Sequence, residues 1–70
     1  MRERTAAEIV DETNCLAREL LRLLGFAAPE GIRFYKSGHP RIQEAWALAR
    51  AAQIYLTETD PEDALMEIER

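Results

Sequence analysis

Residues 40–56, PRIQEAWALARAAQIYL, would carry apolar side chains nearly all the way round if they formed a helix. The segment predicts a helix, because Pro40 is favoured in a first helical turn and only Arg50 is charged between Ala45 and Ala52. A surface helix normally has one apolar and one polar face, whereas this helix needs cover on at least two sides. We therefore expect it to lie centrally in a small bundle or to be partly buried by another chain.

A second helix is predicted over residues 6–24. Thr5 and Glu8 form the pattern of a capping box, in which each side chain bonds to the other's backbone N–H. Apolar residues then recur every three or four positions, and Gly25 follows as the residue type that most often ends a helix. These signals give the prediction a defined start and a defined end.

A third, short helix is predicted over residues 61–69, because Asp60 is a good N-cap and Pro61 suits the first turn. The predicted fold is therefore all-α, a single domain over residues 1–70. A long antiparallel helix pair, residues 6–24 and 40–56, forms its base, and the third helix folds back on that pair. An ordered loop of 15 residues joins the first two helices.

The connecting loop, residues 25–39, has the sequence GFAAPEGIRFYKSGH. Its glycine at position 31 suits a type II turn, and Phe26 with Phe34 or Ile32 is expected to fill the core. Residues 32–35 alternate loosely between apolar and polar, so an extended segment remains open. A lone strand is not stable without a partner, so we favour a structured loop over pairing with a second copy.

The composition indicates a folded, acidic protein, with 47% hydrophobic residues and a net charge of −4. Residues 31–56 carry a net charge of +3 and residues 57–70 a net charge of −5. Cys15 is the single cysteine, so no internal disulfide can form and a reducing compartment, the cytoplasm, is expected. No apolar run is long enough to span a membrane, and no signal peptide is recognisable, so no membrane partner is expected.

No catalytic or metal-binding pattern is apparent in the sequence. Cys15 is predicted in the middle of a helix as a partly buried side chain, away from a helix N-terminus that would lower its pKa. His39 is the single histidine, and it precedes Pro40 at the expected N-cap of a helix. We therefore predict that the protein is not an enzyme and that it uses no cofactor and no metal.

The leading functional hypothesis is a non-enzymatic module that binds a protein partner or itself as a homo-oligomer. Helix 40–56 and the loop over residues 32–41 are its predicted contact surface, because aromatic and large aliphatic residues dominate protein interfaces. The predicted anchors are Phe34, Tyr35, Trp46, Leu48 and Tyr55. Trp46 can serve either the core or the interface, and the sequence does not choose between them.

Two alternative functional hypotheses are based on charged residues rather than on apolar ones. The first is binding of a nucleic acid or phosphate by basic residues next to aromatic ones, just before a helix N-terminus. Its candidate residues are Arg33, Lys36, His39 and Arg41. The second is an inhibitor whose acidic C-terminal end imitates the phosphates of DNA. A strongly acidic chain disfavours non-specific DNA binding, which ranks the first alternative below the protein-binding hypothesis. The second ranks below it because an acidic cluster of this size is common and is a weak signal.

Overall fold

A computed structural model describes residues 4–70 and contains three α-helices and a short 3-10 helix within them. The elements in chain order are α1 (Ala6–Leu23), the 3-10 helix (Phe34–Lys36), α2 (Pro40–Thr57) and α3 (Pro61–Ile68). Each α-helix ends within one residue of its predicted bound. The predicted all-α class is confirmed, with α1 packed against both α2 and α3.

The end of α1 is closed by a Schellman motif, in which the chain reverses through a left-handed residue. Gly25 supplies that residue with φ of +82°, and its N–H donates to the carbonyl of Arg22 at 3.0 Å. The N–H of Phe26 donates to the carbonyl of Leu21 at 3.1 Å. These bonds satisfy two free carbonyls and direct Phe26 towards the core that Leu21 helps to form.

The positive φ of Gly25 leads to a first prediction. Gly25→Ala should lower the free energy of unfolding by about 1–2 kcal/mol, because a Cβ is unfavourable in the left-handed region. A Cβ at this position would meet no atom within 4 Å, so the cost comes from the backbone alone. Gly38→Ala is the matched control, since Gly38 has equally open surroundings and no positive φ. Denaturant unfolding of both variants checks this, and equal stabilities would contradict it.

The core lies where α1 meets the other two helices. Three alanines, Ala17, Ala45 and Ala49, are completely buried there, and such small side chains let helix axes approach closely. The larger core residues are Ile9, Val10, Leu21, Phe34, Ile42, Trp46 and Leu65. Since α3 packs more extensively against α1 than against α2, much of α2 is left without cover from this chain.

The connecting loop is ordered by aromatic side chains that enter the core. Phe34 is 1% exposed, and Phe26 and Ile32 pack against the core while partly exposed. The 3-10 helix occupies Phe34–Lys36, and no strand occurs among residues 4–70. The prediction of a structured loop is therefore confirmed, and the extended segment that the sequence left open is not formed within residues 4–70.

Candidate protein-interaction surface

Large apolar side chains are exposed along α2. Tyr55 is 86% exposed, Leu56 72% and Leu48 48%. Ala47 directly precedes Leu48, Ala51 lies between Leu48 and Tyr55, and both alanines are exposed, as is Ile54. We name this surface the outer face of α2, and its members are Ala47, Leu48, Ala51, Ile54 and Tyr55, which helical spacing places on one side. Leu56, at the end of the helix, is exposed on the side of the buried residues.

No charged side chain interrupts the outer face. Arg50 is the single charged residue from Ala45 to Thr57, and it turns towards the start of α3. Its Nε donates to Asp60 Oδ1 at 2.9 Å and its Nη2 donates to Asp60 Oδ2 at 2.8 Å. A two-pronged bond of this kind holds a guanidinium in one direction. The outer face is thus a continuous apolar surface about two helical turns long.

Asp60 accepts hydrogen bonds from two different groups in this arrangement. Besides holding Arg50, its Oδ1 accepts a bond from the N–H of Glu62 at 2.9 Å and so caps α3. The hydrogen bonds from Arg50 are the main reason that the pKa of Asp60 lies below its ordinary value, while partial burial opposes this shift. In return, the same bonds raise the pKa of Arg50.

The lowered pKa of Asp60 leads to a second prediction. A carboxylate with a depressed pKa in the folded state stabilises the fold above its ordinary pKa of 3.8, and this contribution is lost as the pH falls through and below that value. Asp60→Asn keeps a good N-cap but removes the charge. Wild type should therefore be more stable than the variant near neutral pH, and the difference should vanish in acid. Urea unfolding of both proteins across this pH range measures it, and a difference independent of pH would contradict the prediction.

Two of the predicted partner anchors lie in the core instead. Phe34 is 1% and Trp46 6% exposed, so neither side chain is accessible to a partner in this fold. The Trp46 ring packs against that of Tyr35 at 6.0 Å between centroids, and its Nε1 donates to Glu62 Oε1 at 3.5 Å. The contact surface is therefore corrected to exclude both, because tight packing in a small core requires their volume.

The end of α3 engages the aromatic and basic residues of the loop. The Tyr35 hydroxyl donates to Glu69 Oε1 at 2.8 Å, and Lys36 Nζ lies 3.9 Å from the same oxygen. Lys36 also lies over the Tyr35 ring, 5.4 Å from its centroid. Tyr35 and Lys36 therefore bind the acidic end of their own chain.

The other residues of the predicted anion site are also dispersed. His39 caps α2, since its Nδ1 accepts a bond from the N–H of Arg41 at 3.2 Å, and its ring contacts Phe26 at 4.6 Å. The Arg41 side chain lies 3.6 Å from Glu44. Among residues 4–70, Arg33 is the member of this set whose side chain has no hydrogen-bond or ion-pair partner. The structure does not gather the four basic groups into one anion-binding cluster.

Cys15 lies in the middle of α1, as predicted, but its side chain is exposed rather than partly buried. It is on the side of α1 opposite to the residues that meet α2 and α3, which explains the difference. Among the described residues, no group of three or more histidine, cysteine or carboxylate side chains could hold a metal ion. None of the helices in this part of the chain is long and apolar enough to cross a membrane.

The sequence matches no protein-family model, no curated protein and no solved structure. Leu48 and Tyr55 were predicted as anchors and are exposed, whereas Ile54 and Leu56 were not predicted. The signal that could have indicated them is the run of seven uncharged residues from Ala51 to Thr57.

Proposed function

We propose that this protein is a small, non-enzymatic interaction module that binds another protein chain, a second copy or a different protein, through the outer face of α2. The observation that carries the proposal is the continuous exposure of large apolar side chains with no charge among them. Contiguous exposed apolar surface of this kind is uncommon on soluble monomers and marks sites of protein contact.

Leu48 and Tyr55 are the proposed anchors of this surface. They are seven residues apart, two turns of the helix, so they lie on the same side of α2. Tyrosine adds a large apolar ring and a hydroxyl at low entropic cost, which is why it is common at the centre of interfaces. Ala51 between them leaves room for a partner side chain to enter.

The alternatives based on charge have less support. Lys36 is paired with Glu69 and Arg41 with Glu44, so a nucleic acid would have to displace carboxylates of the same chain. Within the acidic C-terminal end, Glu69 and Asp60 are likewise paired, with Lys36 and Arg50, which weakens the case for imitation of DNA phosphates. The exposed, unpaired thiol of Cys15 suits a reducing compartment, so the cytoplasm is the proposed location.

A double substitution tests the proposed function. Leu48→Glu with Tyr55→Glu places two charges on the outer face, where both side chains are exposed, so the fold should be retained. Association should be abolished, both in sedimentation equilibrium of the purified protein and in affinity capture with the protein as bait. Charges desolvated at an apolar contact are strongly unfavourable, which explains the expected loss.

Met66→Glu is the matched control for this experiment, because Met66 is an exposed apolar residue of α3 outside the outer face. Its association should equal that of wild type. Circular dichroism and thermal melts of all variants check that folding is unchanged. Equal association of wild type and the double variant, or none by wild type in either assay, would refute the proposed function.

A further inference from the structure

The helix α3 is joined to α2 by a short and strained segment, residues 58–60, which we call the hinge. Glu58 has a φ of +57°, the one positive φ of a residue other than glycine among residues 4–70. A Cβ is unfavourable in this left-handed region. Two long hydrogen bonds hold the bend, from Thr59 N–H to Thr57 Oγ1 at 3.3 Å and from Thr59 Oγ1 to the Thr57 carbonyl at 3.4 Å. An extended hinge would therefore relieve strain and break only weak bonds.

The contacts that hold α3 in place do not depend on which copy of the chain supplies it. Ala64 and Leu65 are buried, and α3 packs more extensively against α1 than against α2, to which the hinge joins it. At the far end of α3, Glu69 accepts the bond from the Tyr35 hydroxyl at 2.8 Å. An identical helix from a second copy can make each of these contacts in the same place.

The position of α3 on α1 must be filled for the core to be complete. Ala64 and Leu65 belong to the same core cluster as Ile9, Val10 and Trp46. A chain whose hinge opens exposes this cluster to water, so a matching helix is driven back onto it. At low concentration that helix is the chain's own α3, and at high concentration α3 of a second copy competes for the position.

From these observations we infer that two copies of the chain exchange their α3 helices and form a domain-swapped dimer with extended hinges. The occupant of the α3 position on each α1 is then α3 of the other copy. The inference goes beyond the proposed function, because the exchange uses the contact between α1 and α3 and not the outer face of α2.

The exchange also accounts for an exposed side chain that the outer face does not include. Leu56 is 72% exposed and lies two residues before Glu58, next to the hinge. In a swapped dimer the two extended hinges pass each other close to the twofold axis, so residues beside them approach their equivalents. Each Leu56 side chain therefore gains cover from the other copy, which favours the extended hinge.

Lys36 gives a direct readout of the exchange. It is the single lysine of the chain, and its Nζ lies 3.9 Å from Glu69 Oε1. A carbodiimide converts such an ion pair into an amide bond. The bond lies within one chain when α3 is on its own α1, and it joins two chains in the swapped dimer.

The test is to mix unlabelled and isotopically heavy protein in urea, refold them together at millimolar concentration, cross-link and digest. The dimer fraction should contain peptides that link Lys36 of one label to Glu69 of the other. Lys36→Arg is the matched control, because arginine keeps the cation but has no amine to form the amide, so the linked peptide should be missing. A wild-type protein that stays monomeric after this refolding, or a dimer whose linked peptides all carry a single label, would overturn the inference.

Variants of the hinge provide a second test. Deletion of Glu58 and Thr59 leaves α3 unable to fold back onto its own α1, so this variant should be folded only as a dimer. Glu58→Gly keeps the length but removes the strain, so it should lower the dimer fraction after refolding several-fold. A deletion variant that is a folded monomer, or that is unfolded at millimolar concentration, would also contradict the inference.

Failure of this inference is distinguishable from failure of the proposed function. Protein refolded at low concentration keeps α3 on its own α1, and such protein is the material for sedimentation and affinity capture of the outer-face variants. A dimer with single-label peptides that is abolished by Leu48→Glu with Tyr55→Glu would refute the exchange and support the proposed function. Mixed-label peptides without any association through Leu48 and Tyr55 would have the opposite meaning.

Discussion

Trp46→Ala is expected to lower the free energy of unfolding by about 3–5 kcal/mol, the usual cost of removing a buried aromatic side chain. Trp46 is 6% exposed, and its ring contacts both the loop, through Tyr35, and α3, through Glu62. A domain of this size has a total stability of roughly 4–10 kcal/mol, so the variant should be largely unfolded at elevated temperature. Thermal and urea unfolding followed by circular dichroism measure the effect.

Tyr55→Ala is the matched control for this experiment. Tyr55 is the other large aromatic residue of α2 and is 86% exposed, so its removal should change the stability of the monomer by less than about 0.5 kcal/mol. Both measurements belong at low protein concentration, where association does not contribute. Similar losses for the two variants would contradict the division of α2 into a buried side and an outer face.

Phe34→Ala is expected to have a comparable effect, a loss of about 3–5 kcal/mol, although the residue lies in the connecting loop. Phe34 is 1% exposed, and the guanidinium of Arg18 lies 5.6 Å from its ring centroid. Without this ring, the loop loses its main attachment to the core, and the 3-10 helix that begins at Phe34 loses its anchor. Urea unfolding gives the change in stability.

Arg33→Ala serves as the control for Phe34→Ala, because it alters the adjacent, exposed residue of the same loop. Its effect should stay within about 0.5 kcal/mol of wild type. Proteolysis of the folded proteins adds a local readout: cleavage in residues 25–39 should rise for Phe34→Ala and not for Arg33→Ala. A stable, protease-resistant Phe34→Ala protein would show that the loop is held by other contacts.

The helices could be predicted because their signals are local. Thr5 and Gly25 mark the two ends of α1, and Pro40 and Pro61 mark the starts of α2 and α3, through hydrogen bonds and dihedral angles within a few residues. The loop was less predictable, because its conformation depends on where Phe34 finds room in the core. That room is created by helices far from it in the sequence.

The candidate surface was predicted only in part, because the burial of its side chains also depends on residues that are distant in the sequence. Leu48 and Tyr55 follow from helical spacing, but the burial of Trp46 depends on contacts with the loop and with α3. Local spacing also places Leu56 with the buried residues of α2, yet it is 72% exposed, because the cover from the other helices ends before it. Ion pairs between different helices, such as that of Arg50 with Asp60, produce no periodic pattern from which the sequence could predict them.

The packing of α1 against α3 has a consequence for biosynthesis. The helix α1 leaves the ribosome before α3, which is one of the two helices that it packs against. Until α3 has emerged, residues of α1 such as Ile9 and Leu21 lack part of their cover and stay open to chaperones. The nascent chain can therefore reach its cooperative folded state only after α3 has emerged, and stalling before residue 61 should yield a protease-sensitive intermediate.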